Sequence, residues 1–119
     1  MTTSDNFSVR SEVTNTLTTV AACGEVDLDT APLLRDELLR QLKPASRVRL
    51  DLAGVTFMDS SGLHVLLSSQ RRARLLGSEF CVAEPSTQVQ RLLEISGLAA
   101  TLMAPESRMG AVDERRTVP

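Results

Sequence analysis

A chain of 119 residues with 42% hydrophobic and 24% charged side chains has the length and composition of one globular domain that buries its own core, far from disordered, collagenous or membrane compositions. Fifteen acidic against thirteen basic residues give a formal charge of −2, too weak a field to hold nucleic acid or an anionic bilayer nonspecifically, and three Phe with no Trp or Tyr leave few platforms for base stacking. The start MTTSDNFSVRSE has neither a basic n-region nor an apolar h-region, and no later stretch approaches ~18 consecutive apolar residues, so a cytoplasmic location off the membrane is expected.

Residues 7–13 and 16–22 are rich in Val, Thr and Phe and are separated by a polar break at Thr14-Asn15, the pattern of a hairpin. Gly24-Glu25-Val26-Asp27 then interrupts. Asp29 or Thr30 can cap a first helix that carries Pro32 in its first turn, where a missing N–H is harmless. That helix runs to about Leu42, with Ala31, Leu34, Leu38 and Leu42 on one face and Arg35, Glu37 and Arg40 on the other, and Lys43-Pro44 stops it. Residues 47–52 alternate with period two, a strand with Val48, Leu50 and Leu52 facing one way.

Gly54-Val55-Thr56-Phe57-Met58 leads into Asp59-Ser60-Ser61-Gly62. A second helix begins at the serines, meets no breaker from Leu63 to Leu76 and ends at Gly77 as its C′ residue. One face carries Gly62, Val65, Leu66, Ser69, Ala73 and Leu76, whose small members let the helix sit close on a sheet. Residues 79–83 read as a strand. Ser86 can cap a third helix with Val89, Leu92 and Leu93 at core spacing, and Gly97 followed by apolar Leu98 fits a Schellman ending. Residues 100–104 read as a short fifth strand, and residues 105–119 as a frayed helix or tail of weak periodicity.

Two strands followed by helix-strand alternation predict one α/β domain over residues 1–119, ordered at about 7–104. The expected sheet is mixed, mostly parallel and of about five strands, with helices packed mainly on one face and the first strand antiparallel at or near an edge. Sites in such folds gather where strands end and helices begin, here at Gly24-Glu25-Val26-Asp27 and at Phe57-Met58-Asp59-Ser60-Ser61-Gly62.

Ser60 and Ser61 fall at a helix N-terminus, where unpaired N–H groups and the helix dipole favour negative charge. A phosphate there adds about −1.5 to −2 charges and three acceptor oxygens. A partner built around the small hydroxyl would be repelled: two lost contacts and one facing carboxylate cost ~3–4 kcal/mol, or ~10²–10³-fold in affinity. The competing reading of Asp59, Ser60 and Ser61 is an ordinary helix cap, and spacing does not separate the two.

Phe57-Met58-Asp59-Ser60-Ser61-Gly62-Leu63, after the strand at 48–52, resembles the signature of the STAS-domain anti-sigma factor antagonists. The resemblance extends to Gly24-Glu25-Val26-Asp27, to Gly54-Val55-Thr56, and to Val89-Gln90-Arg91-Leu92-Leu93 with Ser96-Gly97-Leu98, covering about residues 7–104. It implies a STAS-like fold and a bacterial partner switch, in which the unphosphorylated antagonist binds an anti-sigma factor and frees a sigma factor for transcription. The anti-sigma factor of that family is also an ATP-dependent serine kinase, and a separate serine phosphatase restores the binding form. The phosphorylated residue so implied is Ser60, directly after the Asp, with Asp27 and Asp59 at matching positions beside it.

On that resemblance Asp59 shapes the loop and contacts the partner, Asp27 offers an acidic contact to a partner Arg, and Ser60, Ser61, Gly62 and His64 complete the partner-binding set. Turn and cap roles for the two Asp are the alternative. His64 departs from the family, which often has a small residue such as Gly there. A protonated imidazole one turn from Ser60 can stabilise a phosphate, or a bulky ring can change partner choice, or the residue is an exposed helix position with no further role.

A STAS module bound to a different signalling scaffold or transporter-associated complex is the alternative function. A serine hydrolase would need Ser60 as nucleophile and His64, the sole histidine, as base. However, Asp-Ser-Ser-Gly is not the Gly-x-Ser-x-Gly elbow, and adjacent helical turns provide no evident oxyanion hole, so no enzyme is expected. A receiver-type phospho-acceptor needs several carboxylates for a metal and a nearby Lys, whereas the only Lys is Lys43. With no phosphate-binding loop or dinucleotide fingerprint, no cofactor is expected, and ATP belongs to the partner. Cys23 and Cys81 match no zinc or CxxC spacing and read as buried free thiols, while Arg71, Arg72 and Arg74 mark either a docking surface or a solvated helix face.

Overall fold

The computed structural model describes residues 2–103. Strands β1 (Thr2–Ser4), β2 (Phe7–Thr14), β3 (Leu17–Val26), β4 (Arg47–Met58) and β5 (Glu79–Ala83) form one sheet in chain order. The first three pair antiparallel, and β3, β4 and β5 pair parallel. Helix α1 (Ala31–Gln41) connects β3 to β4, α2 (Ser60–Leu76) connects β4 to β5, and α3 (Thr87–Ser96) and α4 (Ala99–Leu102) follow.

The turns follow from local chemistry. Thr14 pairs with Leu17 and leaves Asn15-Thr16 as a two-residue loop. Asn15 takes φ 55° there, a left-handed conformation that Asn tolerates better than most residues. Gly77 and Gly97 end α2 and α3 at φ 66° and 77°, and Leu98 N–H returns to Leu93 O at 2.9 Å, the Schellman closure expected from Gly97-Leu98.

Val48, Leu50 and Leu52 of β4 are fully buried against Leu34 and Leu38 of α1, Leu66 of α2 and Leu93 of α3, with Val20 of β3 in the same cluster. Each such side chain contributes roughly 1.5–3 kcal/mol by leaving water. The alternate β4 residues Arg49 and Asp51 stay partly exposed, so the helices cover one face of the sheet, as the period-two pattern implies.

Three features differ from the sequence reading. The fifth strand lies at residues 2–4, where Thr2, Thr3 and Ser4 pair with Val9, Ser8 and Phe7; a three-residue segment with no apolar side chain carries no alternation signal. Residues 99–102 form a helix instead of the strand expected at 100–104, and Ala104 lies outside the described residues. Ala99 and Ala100 are strong helix formers, and Leu98, Ala99 and Leu102 follow the i, i+1, i+4 spacing of a helix face, with Leu102 fully buried. Glu37 is buried, although its charge placed it on the solvent side of α1. It accepts hydrogen bonds from Ser11 of β2, from Arg40 and, at 3.1 Å, from Gln41 Nε2, which compensates the cost of removing a carboxylate from water. The expected tail at 105–119 lies outside the described residues.

Candidate functional site

The two junctions of the sequence form one place in the structure. β3 and β4 both run further than their glycines suggest, to Val26 and Met58, and these residues are register partners. Asp59 N–H donates to Val26 O at 3.2 Å, so Asp27 and Asp59 leave adjacent strand ends side by side. Two register shifts between β3 and β4, at Ala21/Cys23 and Gly24/Glu25, each with one extra residue on β4, set this alignment. Gly24 is required for it: at φ 100°, an added Cβ would lie 2.0 Å from Asn6 O.

Asp27 builds the turn into α1. Its Oδ1 accepts from the backbone N–H of Asp29 and of Thr30, both at 3.0 Å. Asp27 N–H donates to Thr30 Oγ1 at 2.9 Å, and that hydroxyl donates to Glu25 O at 2.7 Å. The bond from Thr30 N–H is the main cause that holds the Asp27 carboxyl below its ordinary range, against an opposing desolvation. Thr30 stands at the N-cap of α1 without a side-chain cap bond of its own, because its hydroxyl is engaged by Asp27 N–H and Glu25 O.

Asp59 caps α2. It is extended, and its Oδ1 accepts from Ser61 N–H at 2.8 Å, while its carbonyl accepts from Gly62 N–H at 3.0 Å and Leu63 N–H at 3.3 Å. The cap is therefore the aspartate and neither serine. Ser60 is exposed as the first helical residue, and Ser61 is partly buried. Gly62 is buried beneath them, where a Cβ would meet Met58 Cγ at 2.4 Å and Val26 Cγ1 at 3.0 Å. That contact holds the first turn of α2 onto the ends of β3 and β4.

An open groove of about 390 Å³ separates the start of α1 from the first turns of α2, lined by Leu28, Pro32, Arg35, Ser60, His64 and Ser68 among others. Ser60, Ser61 and His64 of the expected set share this groove; Gly62 supports its floor from below, and Asp27 and Asp59 hold its two helix starts. Leu28, Pro32 and Arg35 were not legible as site residues, since only the packing of α1 beside α2 brings them to Ser60. Leu28 is 76% exposed and Phe57 47% exposed, which places apolar surface next to a polar helix terminus. Cys81 is buried as expected, but Cys23 is exposed, because its register partner on β4 is Gly54, which has no side chain to cover it. Among the described residues, no group of three or more His, Cys, Asp or Glu is arranged to hold a metal ion, and no helix is long and apolar enough to cross a membrane.

This geometry defines a mixed-sheet α/β domain whose distinctive surface is a capped helix start presenting a serine beside an open groove. The family model described as "Mlab, STAS domain" matches residues 11–105, and the chain belongs to the STAS domain family. It is 30% identical over 116 residues to an anti-sigma F factor antagonist of Paenibacillus polymyxa, covering 95% of this chain and 98% of the relative. Its fold matches the crystal structure of an anti-sigma factor antagonist from Mycobacterium paratuberculosis with a TM-score of 0.79 at 23% identity, over 95% of this chain and 99% of the other. The anti-sigma factor antagonist SpoIIAA, in its unphosphorylated form, matches with a TM-score of 0.68 at 19% identity, over 94% and 99%. The Bacillus cell fate determinant SpoIIAA in the phosphorylated form matches at 0.64 and 20% identity, over 88% and 99%.

Proposed function

We propose that this chain is a cytoplasmic anti-sigma factor antagonist, which binds an anti-sigma factor through the surface around Ser60 and is switched off by phosphorylation of that serine. The observation that carries the reading is the division of labour at the start of α2. Asp59 makes the cap bond to Ser61 N–H, so Ser60 is exposed and free to be modified without loss of the helix start. The near full-length relation to an anti-sigma F factor antagonist supports the class of partner, and SpoIIAA, known in unphosphorylated and phosphorylated forms, supports the switch.

In this reading the anti-sigma factor is also the serine kinase. Ser60 Oγ attacks the γ-phosphorus of ATP, the bond to the bridging oxygen breaks, ADP leaves, and the hydroxyl proton passes to a base of the kinase. Ser60 is thus a substrate and not a nucleophile of an enzyme of its own. A serine phosphatase returns the hydroxyl by hydrolysis. Asp59 and Asp27 act first by fixing the two helix starts, and their outward carboxylate edges offer contacts to a basic partner residue. Ser61, Gly62 and His64 complete the surface, with Leu28 and Phe57 supplying its apolar contacts.

The test is to incubate the full chain with candidate anti-sigma kinases and ATP, map phosphate by mass spectrometry, and compare binding of wild type, Ser60→Ala and Ser60→Asp. Transfer to Ser60, with Ser60→Asp weakened ~10²–10³-fold and Ser60→Ala still bound, supports the switch. Equal binding by all three, with no transfer, defeats it and favours a STAS module serving another signalling or transporter partner.

A further inference from the structure

The geometry points to a phosphate-retaining pair in this chain: Arg35 of α1 and His64 of α2 hold the phosphate of phosphorylated Ser60 inside the groove between the two helices. The inference rests on the proposed modification of Ser60 and adds what the modified side chain does next. Ser60, Arg35 and His64 line the same groove of about 390 Å³. His64 lies four residues along α2 from Ser60, on the same helix face and ~5–6 Å away between Cβ atoms. Arg35 comes from the facing helix and lines the opposite wall of the groove.

The charges around the groove favour this arrangement. Among its lining residues only Arg35 and His64 can carry charge; the remainder are Leu, Ala, Pro, Ser and Val. Arg35 contacts Asp36 Oδ1 at 3.3 Å, with both side chains more than half exposed, a surface pair that leaves guanidinium N–H groups available. The carboxylates beside the groove are each held by one oxygen at a helix start, Asp59 Oδ1 by Ser61 N–H and Asp27 Oδ1 by Asp29 and Thr30 N–H, and neither lines the groove. A phosphate added next to Asp59 meets like charge, and the two cations on the groove side draw it away from that carboxylate. Arg35 does so as a guanidinium with donors for the phosphate oxygens, and His64 as a ring nitrogen donor one turn from Ser60. Held there, the phosphate lies over Leu28 and Pro32 and removes the groove from a partner by occupation as well as by charge.

The experiment installs phosphoserine at position 60 of the full chain during translation, so that no kinase is needed, and follows the phosphate by phosphorus NMR against pH. Wild type, Arg35→Ala and His64→Gln are compared with a phosphoserine peptide of residues 57–63, and circular dichroism confirms that each protein is folded. An unrestrained phosphomonoester titrates near pH ~6. Retention by the pair lowers that midpoint by about half a pH unit or more in the folded protein, and each substitution moves it back toward the peptide. A wild-type midpoint equal to that of the peptide overturns the inference, as does a lowered midpoint that neither substitution moves, since the helix terminus alone would then account for it. Because the phosphate is introduced directly, absence of a kinase in the earlier test leaves this outcome unaffected.

Discussion

Replacing Gly62 by Ala separates helix propensity from packing at the base of the site. Alanine in a helix interior is favoured over glycine by about 1 kcal/mol. The new Cβ would lie 2.4 Å from Met58 Cγ, 2.9 Å from its Sδ and 3.0 Å from Val26 Cγ1. Met58 is 7% exposed and its Cγ sits close to the strand backbone, so the side chain cannot swing clear at its far end alone. Overpacking of this kind costs ~1–3 kcal/mol, which offsets or outweighs the propensity gain and leaves Gly62→Ala up to about 2 kcal/mol less stable than wild type.

Met58→Ala removes the two closest atoms and by itself costs ~2–5 kcal/mol as a large-to-small core change. Of the three nearest atoms only Val26 Cγ1 at 3.0 Å then remains, and Gly62→Ala becomes neutral or stabilising by up to about 1 kcal/mol, a coupling of about 1–3 kcal/mol between the two positions. Urea unfolding followed by far-ultraviolet circular dichroism suits a chain with no Trp or Tyr. A Gly62→Ala protein more stable than wild type, or one equally destabilised in both backgrounds, would refute the claim that Met58 sets the distance between α2 and the sheet.

Glu37 makes stability pH-dependent: burial opposes its charge, but hydrogen bonds from Ser11 and Gln41 and the Arg40 cation hold its carboxyl below the ordinary 4.5. A depressed carboxyl contributes its stability fully above pH 4.5 and loses it as pH falls through the folded value. Wild type should therefore exceed Glu37→Gln in stability at pH 7, with the difference shrinking in urea titrations below pH ~4.5. In the native protein, Cys23 should react promptly with a thiol reagent and Cys81 only on unfolding, since the first is exposed and the second buried; equal native rates for both would contradict this difference in burial.

Sequence periodicity located α1, α2 and α3 because their apolar residues recur at helical spacing, and the serines and Gly77 mark the ends of α2, whereas the four-residue α4 is too short for a period to show and reads as a strand. The full length of β3 and β4 was not legible, because Gly24 reads as an interruption of β3 and the alternation of β4 stops at Leu52. Gly24 instead lets β3 pass Asn6 at close range, and both strands run on until Val26 meets Met58. The serine junction was therefore visible in the residues themselves, while its adjacency to the Asp27 turn followed only from the family resemblance, since register between strands separated by a helix leaves no local trace. Leu28 and Arg35 were hidden for the same reason: their role depends on which helix lies alongside. Glu37 was misplaced because charge predicts exposure unless partners are known, and Ser11 lies on β2, 26 positions away.

The way Ser60 is held determines what kind of switch it can be. Its backbone is fixed on one side by the Asp59 cap and on the other by Gly62 against Met58 and Val26, and neither interaction uses the Ser60 hydroxyl. Phosphate at this first helical position lies where the dipole favours negative charge, by typically ~0.3–1 kcal/mol. Phosphorylation should thus leave α2 folded and the protein at least as stable as before, so that partner affinity changes through charge and groove occupancy alone. Thermal unfolding of the protein with phosphoserine at position 60 tests this: a midpoint equal to or above that of unmodified protein is expected. A large fall would instead mean that the modification opens the start of α2, and that the switch works by local unfolding.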